Sequence, residues 1–407
     1  GESQTNLYCV ACHTTGFNCD VNFGDTEVDP ANCWEPSDGY SGYVGDTTEE
    51  GMARAASLEG VQCEACHGAM GPNFNAHIPE VSFSTYTPDF EGGVSESLCF
   101  DCHGGQIGEW MTSGHAMAEG GDPEALGDRF GRTSCDYCHT SEGFIRTQDL
   151  ALANYDFGGN YSQVGCPTCH DPHVGEMGSG NEVQLRQVGA VELAYTFPWE
   201  PGDDEAPTYD GYGVGQICGN CHKGRRDNAN VAGQILNGYG HFGPHHSNQT
   251  DMFIGNGSYE IPGYTYDRAQ AHQGAVATAC VECHMIREAE IHGDLTDHAF
   301  HTMEVNTENC LPCHTLPEGD FDYNGVQTTV MGKLDAIAVE MGYADWDTLA
   351  LTINADNLLW TVCEREALYG AAFVYNSHDF GVHNSTYANS LLDNGLDYLQ
   401  TVCHAGP

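Results

Sequence analysis

One motif, Cys-x-x-Cys-His, carries most of the residues in this sequence that could do chemistry, and it occurs eight times. Its sixteen cysteines are Cys9, Cys12, Cys63, Cys66, Cys99, Cys102, Cys135, Cys138, Cys166, Cys169, Cys218, Cys221, Cys280, Cys283, Cys310 and Cys313. The histidines that directly follow the second cysteines are His13, His67, His103, His139, His170, His222, His284 and His314. With only 20 Cys and 21 His among 407 residues, a random arrangement would give far fewer than one copy. We therefore expect eight sites of a single chemical kind.

The spacing of this motif is typical of covalent haem attachment. Each thiol can add across one vinyl group of the porphyrin, and two intervening residues let both sulfurs reach the same edge. The adjacent histidine then binds the iron as its proximal ligand. A zinc or thiol-redox site built from Cys-x-x-Cys pairs is the alternative, but it does not require a histidine after every pair. The sequence thus predicts eight haem c groups as cofactors.

The elements that position these sites are expected to be short. The motifs recur at irregular intervals, which excludes a solenoid of fixed period. The chain has 51 glycines, and 407 residues for eight motifs leave about 50 residues for each site. We expect a fold that is mostly coil with short α-helices wrapped around a chain of eight covalently bound haems, with little β-structure. Residues 1–315 form this octahaem-binding region.

A helical C-terminal segment is predicted for residues 316–407, which contain no haem motif. Apolar side chains recur at helical spacing at Val326, Val330, Leu334, Ile337 and Met341. Two further helical stretches are predicted near 357–375 and 384–400. Because His383 lies just before the last stretch, we expect this segment to contribute it as a distal ligand.

The sixth ligand of each iron decides between electron transfer and catalysis, because ligands on both faces leave no open position for a substrate. Eight of the 21 histidines belong to the motifs, which leaves 13 for distal positions. The preferred distal ligands are His77, His115, His173, His245, His246, His272, His298 and His383. The remaining candidates are His241, His292, His301, His378 and His404. His173 follows His170 by only three residues, so we expect it to bind a neighbouring haem rather than the opposite face of its own.

The charge of the chain limits its partners. Lys and Arg number 12 against 59 Asp and Glu, which gives a formal net charge of −47. Such a surface repels nucleic acid and anionic lipid, and no apolar run approaches the roughly 20 residues of a membrane span. Haem attachment takes place after export, so we expect Gly1 to be a mature N-terminus left by leader cleavage.

Four cysteines lie outside the motifs, and an oxidising compartment permits them to form disulfides. Among three possible connectivities, the pairs nearest in sequence are Cys19–Cys33 and Cys363–Cys403. Free buried thiols are the alternative. The favoured prediction is these two disulfides.

A short acidic turn precedes the C-terminal helices. Asp320, Asp322, Asn324 and Gly325 match the first half of a calcium loop, but its twelfth position is Met331 instead of a bidentate Glu. A turn whose side chains cap the following helix is the favoured alternative. Ca²⁺ is therefore only an additional candidate ion.

The eight motifs, together with several connecting segments, resemble the multihaem (octahaem) c-type cytochromes of metal-respiring microbes. This extracellular electron-transfer group includes filament-forming nanowire cytochromes. The connecting segments are Ser-Gly-His-Ala at 113–116 and those at 166–173, 218–226, 243–249 and 381–384. The resemblance spans most of the chain. It implies low-potential haems with two histidine ligands each, arranged as a series of close neighbours.

These features predict an electron-transfer protein with no catalytic residue. We expect a secreted cytochrome at the cell surface or outside the cell, with a periplasmic location as the alternative, that passes electrons to an extracellular acceptor. Its partners would be copies of itself, other multihaem cytochromes or a mineral. The alternative function is an octahaem reductase of a nitrogen or sulfur oxyanion with one open or lysine-ligated haem. Lys333 is the only plausible lysine ligand, and the charge of −47 would repel anionic substrates.

The first motif raises the question of a filament. No histidine occurs between His13 and His67, so the distal ligand of the first haem comes from far along the chain or from another subunit. The resemblance implies filaments held by such contacts. Self-repulsion opposes this assembly unless salt or divalent ions screen the charge.

Overall fold

The computed structural model describes residues 99–116, 133–148, 163–171, 183–194, 207–269, 272–285, 287–288, 298–305, 307–315 and 321–405. By its internal contacts the chain divides into two compact units. The first consists of Gly1–Met111 and Phe157–Gln163, and the second consists of Thr112–Asp156 and Val164–Pro407.

In the first unit, helix α1 (Phe100–Trp110) begins inside the third motif. The amide of His103 donates to the carbonyl of Cys99 at 2.8 Å, which closes one helical turn around the motif. His103 itself leaves helical geometry, with φ −117° and ψ 35°, so the helix is kinked at the histidine. Ile107 and Trp110 are buried beyond the kink. The motif therefore occupies the first turn, and the remainder of the helix anchors it.

Short helices carry or flank the motifs of the second unit. They are α2 (Thr133–His139), α3 (Ser141–Gln148), α4 (Cys166–Cys169), α5 (Gln216–Gly219), α6 (Asn228–Asn237), α7 (Gln249–Ile254), α8 (His272–Ala275) and α9 (Cys280–His284). In the fifth, sixth and eighth motifs, the histidine amide donates to the carbonyl of the first cysteine over 2.8–2.9 Å. Because four residues span about one helical turn, each of these motifs is a single turn that gathers two thiols and an imidazole.

Strand structure is sparse in the described residues, as predicted. Strand β1 (Val191–Glu192) pairs antiparallel with β2 (Thr208–Tyr209). Strand β3 (Arg287–Glu288) pairs antiparallel with β4 (His298–Ala299). Each strand is only two residues long, so these ladders fix the ends of loops rather than build a sheet.

The C-terminal segment is helical, as predicted. Its helices are α10 (Val326–Glu340), α11 (Trp346–Asp356), α12 (Val362–Asn376) and α13 (Ser385–Tyr398), followed by a π-helical turn at Leu399–Cys403. Helix α11 was not predicted from the sequence, although the buried residues of this helix, Trp346, Leu349 and Ile353, have helical spacing. It also began the second helix too early, because that helix starts only after the Thr361 cap.

Side-chain caps begin three of these helices. The Asp345 carboxylate accepts from the amide of Thr348 at 2.8 Å, and the Asn384 side chain accepts from the amide of Tyr387 at 3.0 Å. Thr361 and Glu364 form a reciprocal capping box. Each cap satisfies an amide that has no partner within its helix and stabilises the helix by about 1 kcal/mol. Local sequence therefore sets the starts of α11, α12 and α13.

One apolar core joins the C-terminal helices to residues 231–252. Val231 and Ile235 of α6 pack with Leu368 of α12 in this core. Buried Arg365 of α12 also connects these two helices. Its Nε donates to the carbonyl of Ile235 at 2.7 Å, and its Nη2 donates to the carbonyl of Leu236 at 3.0 Å. Helix α6 follows the sixth motif directly, so the C-terminal core holds that motif in position.

A polar clamp fixes the last helix near the seventh motif. Arg268 forms a bidentate ion pair with Glu260, at 2.5 and 2.8 Å, and Glu260 also accepts from the hydroxyl of Tyr387 at 3.1 Å. The Asn384 side chain donates to the carbonyl of Arg268 at 3.2 Å. Since His383 immediately precedes Asn384, the clamp determines where that histidine lies.

The acidic turn before α10 acts as a helix cap. The Asp322 carboxylate accepts from the amides of Gln327 and Thr328 at 2.6 and 3.2 Å and from the Thr328 hydroxyl. The Thr328 hydroxyl is the largest cause of the lowered pKa of Asp322. These contacts are those of the capping alternative, while Asp320 of the calcium pattern lies outside the described residues.

Across the described ranges, every helix falls short of the length or apolarity needed to cross a bilayer. Cys363 and Cys403 form a disulfide with a Cα–Cα distance of 5.6 Å, which confirms that predicted pair. The Cys19–Cys33 pair lies outside the described residues.

The disulfide yields a stability prediction. It closes a loop over a sequence separation of 40 residues, and loop entropy gives about 4 kcal/mol for that length. Replacing both Cys363 and Cys403 by Ser should lower the free energy of unfolding of the C-terminal helices by up to this amount, as measured by chemical denaturation. Dithiothreitol should cause the same loss in the unmodified protein and none in the double variant. A reductant effect that persists in the double variant would contradict this assignment.

Candidate haem centres

Within the described residues of the second unit, five pairs of facing histidine rings contain one motif histidine each. The pairs and their centroid separations are His115–His222 at 6.0 Å, His139–His245 at 6.5 Å, His170–His301 at 6.2 Å, His272–His314 at 6.0 Å and His284–His383 at 6.4 Å. These five motif histidines belong to the fourth through eighth motifs. Their partners come from loops or helix starts elsewhere in the unit.

The separations fit one metal ion between two imidazoles. A metal–nitrogen bond is about 2 Å long, and the ring centre lies about 1 Å beyond the nitrogen, so two ligands place their ring centres about 6 Å apart. The rings are inclined by 40–85° and are not stacked. Two further contacts contain no motif histidine: His246 and His378 stack at 5.6 Å and 28°, and the near neighbours His245 and His246 lie 6.1 Å apart at 58°. The five inclined pairs therefore have the spacing of axial ligands.

Hydrogen bonds at Nδ1 orient several of these rings. The Nδ1 of His170 lies 2.7 Å from the carbonyl of Val183, and that of His284 lies 3.1 Å from the carbonyl of Met303. A carbonyl can only accept, so Nδ1 carries the proton in both rings. The lone pair on Nε2 is then free to bind a metal.

Burial favours the neutral form of several paired imidazoles. It lowers the pKa of His115 to about 4, with a smaller contribution from His222. Burial also lowers the pKa of His245 to about 3, helped by the charge of Arg225. The pKa of His284 is lowered for the same first reason. Neutral imidazole is the form that binds metal, so these environments suit ligands at neutral pH.

The distal partners are held by local structure. The amide of His383 donates to the Asp379 carboxylate at 2.6 Å, just before the capped start of α13. His245 has φ +87°, and Gly243 before it has φ +111°, so the chain turns sharply to present this ring. The Nδ1 of His245 lies 3.1 Å from the hydroxyl of Ser247.

The fourth and sixth motifs contact each other directly. The Sγ of Cys138 lies 4.0 Å from the carbonyl of Cys221, and the Sγ of Cys221 lies 4.0 Å from the carbonyl of Tyr137. The Tyr137 hydroxyl donates to the side-chain oxygen of Asn220 at 3.4 Å. Haem edges attached at Cys138 and Cys221 would consequently be neighbours.

The sixth and seventh motifs are also packed together. The neighbouring thiol of Cys280 raises the pKa of the Cys218 thiol well above its usual value, and the hydroxyl of Tyr209 lies 3.6 Å from the sulfur of Cys280. A Cβ at Gly215 would lie 2.0 Å from the carbonyl of Thr278, so only glycine permits this approach. The two attachment turns therefore meet at their cysteine sides.

Further contacts extend this arrangement at both ends. The Asn309 side chain donates to the carbonyl of Cys283 at 3.0 Å, which joins the eighth motif to the seventh. Thr168 of the fifth motif hydrogen-bonds with Ser141 of α3 at 2.6 Å, next to the fourth motif. The motifs thus follow one another in space as fifth, fourth, sixth, seventh and eighth, which differs from their order along the sequence.

Several of the predicted site residues cannot be assigned to a pair of facing histidine rings. The motifs beginning at Cys9 and Cys63, with His77 and His173, lie outside the described residues. His103 belongs to the first unit, whose described residues contain no second histidine. His298 pairs through its backbone with Glu288 in the β3–β4 ladder.

The sequence analysis preferred His298 over His301, whereas the ring opposite His170 is His301. The two histidines lie three residues apart near the eighth motif, and sequence offered no reason to choose between them. In the structure, His298 lies in the short β4 strand, whereas His301 lies in the turn that follows it and faces His170. The carbonyl partners of His170 and His284 also had no sequence signal.

Among the described residues, no group of three or more Cys, His, Asp or Glu side chains is arranged to hold a metal ion by itself. In the described part of the chain, the motif cysteines that carry free thiols include Cys138, Cys169, Cys218, Cys221, Cys280, Cys283, Cys310 and Cys313. Together with the five imidazole pairs, these residues fit the chemistry of haem c: two thiols for the porphyrin and two imidazoles for the iron.

The pairing of His301 with His170 can be tested by substitution. His301→Ala should convert one haem from low spin to high spin, because it removes one of the two axial ligands. Electron paramagnetic resonance of the oxidised protein would measure this change. His404→Ala is the matched control, since both its ring nitrogens face carboxylates, with Nδ1 2.8 Å from Glu340. An unchanged spectrum in His301→Ala would disprove the pairing.

No protein-family model and no curated protein matches this sequence. Among solved structures, the chain is similar to the crystal structure of the outer cell wall cytochrome OcwA, with 18% identity and a TM-score of 0.50. The similarity covers 98% of this chain and 76% of that chain. At this level of identity the similarity concerns the fold. The short helices and sparse strands described above therefore belong to a fold that this chain shares with a cytochrome.

Proposed function

We propose that this protein is a secreted octahaem c-type cytochrome that conducts electrons through closely spaced haems with two histidine ligands each. The observation that carries the proposal is the set of five facing imidazole pairs, each opposite a Cys-x-x-Cys turn. The cytochrome fold shared with OcwA supports it independently. The remaining three haems are proposed from their motifs alone.

The residues of this chain would act by holding and enclosing the cofactors. When bound, each haem supplies an iron that takes up one electron in passing from ferric to ferrous. The two thiols of each motif would hold the porphyrin by its edge, and the two imidazoles would bind the iron from opposite faces. With both positions filled by protein, neither face is left for a substrate, so the sites favour electron transfer over catalysis.

The contacts between motifs suggest a route for the electrons. Cys138 contacts the sixth motif, Cys218 contacts Cys280, and Asn309 contacts Cys283 of the seventh motif. Haems attached to turns that touch each other have their edges close together. We therefore propose that electrons pass along the series fourth, sixth, seventh and eighth motif.

The alternative, an oxyanion reductase with a lysine-ligated haem, has little support from the two lysines. The Nζ of Lys333 donates to the Asp393 carboxylate at 2.7 Å. The Nζ of Lys223 donates to the carbonyl of Glu192, also at 2.7 Å. Both ammonium groups therefore have partners other than a haem iron.

We further propose that the protein works outside the cell, alone or as a filament of copies of itself, with another multihaem cytochrome or a mineral as acceptor. The name of OcwA describes a cytochrome of the outer cell wall, which supports a location at the surface. The net charge of −47 opposes self-association at low ionic strength. Assembly would therefore depend on salt or divalent cations.

Carbon monoxide tests the closure of the iron sites. The fully reduced protein, with eight haems per chain by pyridine haemochrome assay, should bind almost no carbon monoxide at neutral pH. The His301→Ala variant should bind about one equivalent, which provides a positive control. Rapid binding of one full equivalent by the unmodified protein would identify an open haem and favour the reductase alternative. A haem count near zero would overturn the proposed function.

Electron microscopy tests assembly. The secreted protein, imaged in physiological salt with calcium, should form filaments, because screening weakens the repulsion between acidic chains. Lowering the ionic strength should dissociate them. Uniform single-chain particles in both conditions would favour a soluble electron shuttle over a filament.

A further inference from the structure

Three cationic residues lie together in a chain that has very few. Lys and Arg number only 12 in 407 residues, yet Lys223, Arg225 and Arg226 fall within four consecutive positions. We call these three residues the 223–226 cation cluster. They directly follow the sixth motif, whose histidine is His222. Such a concentration of positive charge is exceptional in a protein with a net charge of −47.

The cluster lies beside the His139–His245 pair. The hydroxyl of Ser247 donates to the carbonyl of Lys223 at 2.8 Å and lies 3.1 Å from the Nδ1 of His245. On the other side, the Sγ of Cys138 lies 4.0 Å from the carbonyl of Cys221, two residues before Lys223. The segment 221–226 therefore runs along both the attachment turn and the distal ligand of the fourth haem site.

Electrostatics agree with this geometry. Arg225 and Arg226 lie close enough to His245 for their positive charges to act on its ring. The thiol of Cys138 likewise experiences the positive charges of Lys223 and Arg225. The fourth haem site thus lies in a positive local field.

Arg226 has a donor that no protein group uses. Its Nε is buried without a hydrogen-bond partner, and its guanidinium lies over the ring of Tyr239, 5.1 Å from the centroid. An unsatisfied buried donor is costly, and more so when it is charged, so a residue oriented in this way is expected to have an acceptor. A guanidinium matches a carboxylate with two parallel hydrogen bonds. The propionate groups of a haem are carboxylates of this kind.

Two nearby carboxyl groups do not fulfil this role. Asp227 caps α6 by accepting from the amide of Asn230 at 2.8 Å. Asp251 accepts from the amide of Gly224 at 2.6 Å, and its burial raises its pKa to about 7. With Asp251 partly protonated near neutral pH, the segment keeps a net positive charge.

We propose that Arg225 and Arg226 bind the propionates of the haem held between His139 and His245, and that they raise its reduction potential above those of the other described haem sites. This inference rests on the proposed haem-binding function. The physical reason is that a positive field stabilises the reduced iron, which carries one positive charge less than the oxidised iron. The haem at the fourth motif would then be the first in the series to be reduced.

The test is a spectroelectrochemical titration of the protein with all its haems. Arg225→Gln/Arg226→Gln should move one component, the one of highest potential, to lower potential and leave the others in place. Arg225→Lys/Arg226→Lys keeps the charge and should retain most of the original potential. Lys333→Gln, which removes a distant charge, should leave the whole titration unchanged. The exposed single variant Arg225→Gln should give a smaller shift in the same direction.

Assignment of the component comes from His245→Ala. The low-spin signal that this variant loses should be the one whose potential shifts in the Arg225→Gln/Arg226→Gln variant. A titration of Arg225→Gln and the double variant identical to that of the unmodified protein, with an unchanged haem count, would overturn the inference while leaving the proposed function intact. An equal shift of every component would also overturn it, because it would show a general charge effect. Absence of covalent haem from the unmodified protein would instead overturn the proposed function.

Discussion

The structure depends on one constraint: two imidazoles must face each other across about 6 Å, and one of them must directly follow a pair of attachment cysteines. A single helical turn satisfies the second condition locally, as the hydrogen bond from His170 to Cys166 shows. The first condition is not local, because the facing ring comes from another part of the chain. The loops, strand pairs and clamps of the second unit therefore serve to bring distant rings such as His301 and His383 opposite motif histidines.

The second unit contains two kinds of packing, one around the motifs and one among the C-terminal helices. Around the motifs, short turns touch through cysteines and small residues such as Gly215. Beyond residue 321, four helices with an apolar core provide conventional stability, and the Cys363–Cys403 disulfide closes them. Buried Arg365 and the Glu260–Arg268 pair connect this core to the motif-bearing segments. The helices thus act as a rigid support for sites that have little apolar core of their own.

The charge of the chain bears directly on the proposed electron-transfer function. The acidic exterior lowers the tendency of the protein to bind anions and favours oxidised iron throughout. The 223–226 cation cluster reverses the field at one site, next to the contact between Cys138 and the sixth motif. If haems occupy these two sites as proposed, a difference in potential between them would come from side chains rather than from a change of axial ligand, since both sites have paired histidines.

The sequence by itself determined where the attachment motifs lie and predicted their chemistry, because Cys-x-x-Cys-His is complete within five residues and needs no distant partner. Periodicity and a nearest-neighbour argument likewise sufficed for α10, α12, α13 and the Cys363–Cys403 bond. Tertiary structure alone decided which distal ring faces which motif, since the partners of His139 and His222 lie about 100 residues away in opposite directions along the chain. It also decided the spatial order of the motifs, in which the sixth contacts the fourth through Cys221 and Cys138. Such pairings depend on how loops fold back in three dimensions, and spacing along the chain contains no record of that.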